Sequence, residues 1–248
     1  MQTEFIIIGI LCFFTIATLY SSVGHAGASG YLAVMALLAF PSQEIKATSL
    51  ILNILVASIA SYRYLKEGYF DKKVFLYFAV FSIPLAFAGG YFKIDDKAFK
   101  ILAGIFLIAS SLMIASKTIQ KAKQDYEVLP VAFWKAGIIG SIVGFISGLI
   151  GVGGGIFLSP ILMLGKWASP KNVSGISALF ILVNSVIALL GYISNIKQTP
   201  VNIQYWIIAV ILGGLLGSYL GTKKVKTTGI YILLAIVLVS AGIKMIFF

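Results

Sequence analysis

Ten apolar segments follow one another along the chain, near 4–20, 24–40, 46–63, 74–92, 99–116, 132–149, 152–165, 172–192, 202–221 and 228–247, and no polar stretch between them is long enough to bury a core. A helix crosses the roughly 30 Å of bilayer hydrocarbon with about 20 apolar residues. Lipid offers the backbone no hydrogen-bond partner, so segments of this kind must be helical. The recurrence therefore dictates an all-α polytopic membrane protein. Composition agrees, with 60% hydrophobic and 11% charged residues. The longest polar stretch, "SKTIQKAKQDYEVLP", reads as a linker. It divides the chain into an N-terminal transmembrane repeat (1–116), a cytoplasmic linker (117–131) and a C-terminal transmembrane repeat (132–248).

Several function classes fall away at this point. The net charge of +11 comes from cations between apolar segments rather than from one aromatic-interleaved patch, which argues against nucleic acid. The lone cysteine, Cys12, excludes a disulfide framework, and no metal site or cofactor is expected. One histidine and no carboxylate well inside any apolar segment leave little for an enzyme to use. The first charged side chain is Glu4, so the positive n-region of a cleaved leader is missing and no cleavage is expected.

The second and seventh segments are short and interrupted by glycine. They could cross or dip in and return, and the distribution of cations between the two faces separates these plans. With ten crossings, thirteen Lys and Arg residues collect on one side, against Lys46, Lys93, Lys97, Lys100 and Lys197 on the other, with Lys244 near the C-terminus. With two re-entrant segments, the same residues divide nine against nine, Lys244 aside, and the bias vanishes. The ten-crossing plan is preferred, with both termini outside.

The two halves also match each other. At an offset of 128, Gly27 meets Gly155, Met35 meets Met163, Ser49 meets Ser177, Tyr64 meets Tyr192 and Gly89 meets Gly217, without a gap over about 65 positions. Five crossings per half is an odd number, so the halves form two inverted-topology repeats of five. That plan is shared by many secondary transporters, whose broken helices meet near the midplane around the substrate. The run "GLIGVGGGIFLSPILML" is such a broken helix, with Gly151, Gly153, Gly154, Gly155 and Pro160 inside an apolar stretch. Glycine costs a helix interior about 1 kcal/mol and proline about 3 kcal/mol. Backbone N–H groups released there need another partner, and an anion at the N-terminus of a half-helix is one.

"GLIGVGGGIFLSPILML" followed by "SPKNVSGISALFILVNSVIALLGY" resembles the second-half signature of the TauE/SafE sulfite-exporter family, also called the toluene-sulfonate uptake permeases. "SSVGHAGASGYLAVMALLAF" followed by "IKATSLILNILVASIASYRY" is similar to its N-terminal repeat. The resemblance covers essentially the whole chain. It implies a secondary transporter moving a small sulfur-containing anion (sulfite, sulfoacetate or a related organosulfonate) across a prokaryotic cytoplasmic membrane, and a homodimer among membrane lipid. The first half departs from the pattern, with His25, Ala26 and Ala28 among the expected glycines and Leu32 opposite Pro160.

The substrate-binding candidates are Gly153, Gly154 and Gly155 with Ser177 and Asn184, seven residues apart on the next helix. In the first half they are Gly24, His25, Gly27 and Ser29, then Ser49 and Asn53, four apart. Each has a plainer reading: the serines and asparagines can bond a neighbouring helix, worth about 0.6 kcal/mol on average, and the glycines can serve close packing. His25 titrates near neutral pH and could bind an anion and a proton together, or it could rest neutral on a carbonyl freed by the glycines. Arg63, between Tyr62 and Tyr64, reads as an interfacial anchor. Gly140, Gly144 and Gly148, and likewise Gly213, Gly217 and Gly221, read as helix-packing stripes with a dimer face as the alternative. The alternative function is an anion channel or facilitator.

Overall fold

The computed structural model describes residues 2–119, 127–196, 203–222 and 228–247. The middle of the linker and Lys121, Lys123, Lys197, Lys223, Lys224 and Lys226 of the charge argument lie outside them. Among the described residues the chain is all-helical: α1 (Gln2–Ser21), α2 (Ala28–Leu37), α3 (Ser42–Lys66), α4 (Lys72–Tyr91), α5 (Asp96–Ile119), α6 (Phe133–Ile150), α7 (Gly155–Leu164), α8 (Pro170–Tyr192), α9 (Ile203–Thr222) and α10 (Thr228–Phe247), with a 3-10 turn at Ile193–Asn195. Five of these, α3, α4, α6, α8 and α9, are long and apolar enough to cross a membrane. Starts are set locally: Asp71 accepts from Val74 N at 3.0 Å to cap α4, and Ser169 caps α8 ahead of Pro170 at the first helical position.

Glycine determines how closely the helices approach. A Cβ on Gly140, Gly144 or Gly148 of α6 would run into the carbonyl oxygens of Phe78, Ser82 and Ala86 on α4, and one on Gly213, Gly217 or Gly221 of α9 into those of Phe14 and Thr18 on α1 and of Ser22 just after it. Both stripes are thus spent inside the protomer, where bare Cα atoms lie against carbonyls at every fourth residue. In lipid, association depends on such close packing, because tails are as apolar as side chains. The same exchange of backbone contact occurs between Gly104 of α5 and Gly242 of α10.

The packing scheme survives exchange of the two halves. α4 packs on α6 and α9 on α1; α3 packs on α9 and α8 on α4; α2 packs on α10 and α7 on α5; and the pairs α3–α8 and α5–α10 map onto themselves. α3 and α8 form the centre. Val80, Ile138, Ile142, Ile208 and Leu212 are exposed on the outer helices, as lipid-facing side chains would be.

The end of α2 lies far from the end of α1. Ser22, just after α1, accepts from Tyr64 Oη at 3.1 Å near the C-terminal end of α3. The carbonyl of Leu37, at the end of α2, accepts from Lys244 Nζ at 2.8 Å, and the cavity beside it is bordered by Lys100 and by Ser42 at the start of α3. α2 therefore runs from within the bundle to the end opposite Ser22.

Candidate functional site

Each short helix begins at a turn made of left-handed glycines. Gly24 (φ 76°) and Gly27 (φ 98°) flank His25 and Ala26, and Gly27 caps α2. Gly151 (φ 89°), Gly153 (φ 71°) and Gly154 (φ 75°) form the second turn, and Gly154 caps α7. A residue with a Cβ pays roughly 1–2 kcal/mol for this conformation, and glycine does not. Backbone bonds repeat as well: His25 N donates to Tyr20 O at 2.9 Å and Val152 N to Ser147 O at 3.1 Å.

These pairs correct the register read from the sequence. Gly24 matches Gly151, Gly27 matches Gly154, and left-handed Ala39 matches left-handed Lys166, an offset of 127. α3 and α8 start at Ser42 and Pro170, an offset of 128, so one extra residue sits between Trp167 and Ser169. Three consecutive glycines let the identity Gly27/Gly155 look right, yet Gly153 and Gly154 are the left-handed ones, Gly154 is the cap, and Gly155 is already helical. In the corrected register Leu32 stands opposite Ser159, and Pro160 opposite Ala33.

The turns leave backbone donors unused. Among the described residues, the amides of Gly153, Gly154 and Gly155 donate no hydrogen bond, and neither do those of Gly27, Ala28 and Ser29. Helix N-termini always leave such groups, which carry partial positive charge.

Two polar clusters join the halves. In the first, His25 Nε2 lies 3.0 Å from Ser159 Oγ on α7, which lies 2.6 Å from Ser177 Oγ on α8, while His25 Nδ1 lies 3.2 Å from the carbonyl of Val23. Ser159 and Ser177 are completely buried and His25 is nearly so. In the second, Asn53 Nδ2 on α3 donates to Ser185 Oγ on α8 at 2.8 Å and to the carbonyl of Val152 at 3.3 Å. A Cβ on Gly153 would fall 2.7 Å from Asn53 Nδ2, so this glycine is what admits Asn53 to the turn. Ser177 and Ser185, the α8 members of the two clusters, are eight residues apart and so share one face of the helix, about 12 Å apart along its axis. Ile181 lies between them against Gly153 and Gly155.

Not every candidate reaches these clusters. Ser29 donates to Tyr20 Oη at 2.9 Å within its own half, and Asn184 Nδ2 bonds the carbonyl of Phe180 on its own helix at 2.9 Å. Gly24 stacks on Ser174 near the start of α8, and Gly27 faces the Tyr31 ring. Ser49, completely buried one turn before Asn53, has no hydrogen-bond partner for its hydroxyl, and Asn53 Oδ1 and Asn184 Oδ1 also lack one. Arg63 lies with its guanidinium 4.7 Å from the centre of the Tyr219 ring. Ser159 and Ser185 were not among the candidates. Ser159 was legible as the one polar side chain of "GIFLSPILML", and Ser185 as eight residues from Ser177 on the same face.

The sequence profile described as sulfite exporter TauE/SafE matches residues 9–245. The chain is 32% identical to a probable membrane transporter protein, y4hK, of Sinorhizobium fredii over 247 residues, covering 99% of this chain and 100% of that one. It is 29% identical to the probable membrane transporter protein YunE of Bacillus subtilis, covering 81% and 79% of the two chains. No solved structure matches.

Proposed function

The chain belongs to the sulfite exporter TauE/SafE family and is a membrane transporter rather than an enzyme, and from that premise we propose that it is a secondary transporter of a small sulfur-containing anion, such as sulfite, sulfoacetate or a related organosulfonate. The anion lies between the two glycine turns, close to the polar face of α8. The observation that carries this reading is the junction of His25, Ser159 and Ser177, where the first turn meets α7 and α8, together with the unpaired amides of Gly153, Gly154 and Gly155. Three oxygens of a sulfonate or sulfite need several donors at once, and hydroxyls, an imidazole and helix-start amides supply them without a carboxylate to repel the charge.

The two halves are inverted repeats, each crossing five times. This plan is supported by the packing scheme that survives their exchange and by α2 ending far from the end of α1. Rearrangement between the halves must then break and remake the contacts of His25 and Asn53, since both bridge from one half to the other. His25 is the coupling residue: protonated, its ring donates from both nitrogens and adds a positive charge beside the anion.

Thermal unfolding of the purified protein with sulfite, sulfoacetate, taurine, thiosulfate, sulfate and chloride tests the site. Ligand at 100 times its Kd adds about 2.7 kcal/mol of stability. One sulfur anion is expected to raise the unfolding temperature in the wild type and much less in Ser177→Ala. In proteoliposomes, uptake of that anion should saturate and rise with an inward proton gradient, and His25→Gln should lose the gradient dependence. Flux without saturation would make the protein a channel and overturn the carrier reading.

A further inference from the structure

Lys46 is the buried charge that the site above does not use. It lies in the second turn of α3 and is only 3% exposed. Its ammonium lies 3.4 Å from the carbonyl of Gly90 and 4.3 Å from the centre of the Tyr192 ring, and among the described residues it has no carboxylate partner. A cation withdrawn from water needs compensating charge and hydrogen bonds. Here the contacts are one long bond and one aromatic face, which leaves donors of the ammonium unengaged.

Those donors border a cleft of about 270 Å³ at the end of the bundle where α3 begins, α4 ends and α8 ends. Ser42 and Lys93 also line it. Ser42 is buried, and its hydroxyl has no hydrogen-bond partner. The one carboxylate at the cleft, Asp96, is largely exposed and paired with Lys100 at 3.4 Å. The cleft thus combines a buried ammonium, an unused buried hydroxyl and a second lysine. At about 30 Å³ per water, its volume suits one small oxyanion with a few waters.

Its position gives it a purpose. Gly151 of the second glycine turn stacks on the Lys46 side chain, where an added Cβ would lie 3.0 Å from Cγ. In the other half, Gly24 stacks on Ser174, the counterpart of Lys46 at the offset of α3 and α8. The charge is present on one side only. Lys46 and Asn53 are seven residues apart on one face of α3, about 10 Å along the axis, so the cleft lies beside the approach to the second turn.

We propose that this cleft binds a small oxyanion, a sulfonate, sulfate or phosphate group, with Lys46 as its charge and Ser42 as a donor. The presence of the site is independent of what the transporter carries; its role in gathering that anion at the mouth rests on the function proposed above.

The test is sulfate and methanesulfonate binding to the full-length protein, purified in lipid-free detergent, read by calorimetry in the wild type and in Lys46→Met, Lys46→Arg, Ser42→Ala and Ser177→Ala. The expected result is saturable binding that Lys46→Met weakens at least tenfold, Ser42→Ala weakens severalfold, and Lys46→Arg keeps within about threefold. Ser42→Ala removes only an unpaired hydroxyl and so reports even where a Lys46 variant fails to fold. Absence of sulfate and methanesulfonate binding in the wild type, or an affinity unchanged in both Lys46→Met and Ser42→Ala, overturns the proposal. Binding lost in these variants and kept in Ser177→Ala supports the cleft whatever becomes of the central site. Repeating the titration in nanodiscs of phosphatidylcholine, with and without phosphatidylglycerol, separates the sources: competition by the anionic lipid identifies a headgroup phosphate as the occupant, and unchanged affinity identifies a free anion.

Discussion

Ser159 shows why single polar side chains matter in this interior. Its hydroxyl is the middle of a chain from His25 to Ser177 that links the first glycine turn to two helices of the second half. Removing it leaves both neighbours without that partner, and an unsatisfied buried polar group costs about 1–3 kcal/mol. Ser159→Ala is therefore expected to lower stability by that amount in reversible denaturation, and a variant as stable as the wild type would show that the chain carries no such energy. Asn53 is held differently. Its amide group is engaged by Ser185 and Val152, while its carbonyl oxygen has no partner. The donors are taken and an acceptor remains, so an anion approaching Asn53 must displace Ser185 or the Val152 carbonyl before the amide can donate to it.

At the level of helices and turns, glycine serves two separate purposes, and a pair of variants separates them. Gly68 is left-handed (φ 75°) with nothing within 4 Å of an added Cβ. Gly68→Ala should cost only the backbone penalty of about 1–2 kcal/mol. Gly144 is an ordinary helical residue, but its Cβ would strike the backbone of Ser82. Gly144→Leu should separate α6 from α4 and reduce the folded, monodisperse fraction in size-exclusion chromatography, where Gly68→Ala should not. The two uses look alike in a sequence. Spacing by four exposed the stripes, and clustering exposed the turns, but which glycine of Gly153, Gly154 and Gly155 caps α7 follows from where the left-handed backbone ends and the helix begins. That ambiguity produced the one-residue slip between the repeats. The helix ends themselves were legible to within a few residues, because hydrophobic length and the residues Asp71, Ser169 and Pro170 are local signals.

Across the whole molecule, the plan with ten crossings places the residues before α3 and those after α7 on opposite faces. In a Cys12→Ala background, Gln43→Cys and Lys166→Cys, both at exposed positions, should react with a membrane-impermeant maleimide from opposite sides, Gln43→Cys from outside. Labelling of both from one side would make α2 and α7 re-entrant. The central crossing of α3 and α8 bears on the same question of movement. In the two polar clusters the halves meet at Ser159 of α7, which touches His25, and Ser185 of α8, which touches Asn53, so relative motion of the halves must alter both contacts.

The membrane class, the apolar helices and the two breaks were determined by the sequence itself, since each depends on local quantities, apolar length and the absence of a Cβ, whereas Pro160 is accommodated inside α7 and makes no break. The partners of His25, Asn53 and Lys46 were decided only by the tertiary structure. His25 and Ser159 are separated by 134 residues, and Asn53 and Ser185 by 132. Lys46 looked like a loop cation, being four residues into a helix, and its burial follows from Gly90, Gly151 and Tyr192, which belong to three other segments. A contact between distant segments depends on how closely their helices pack and at what register, and neither is written in the residues that make the contact.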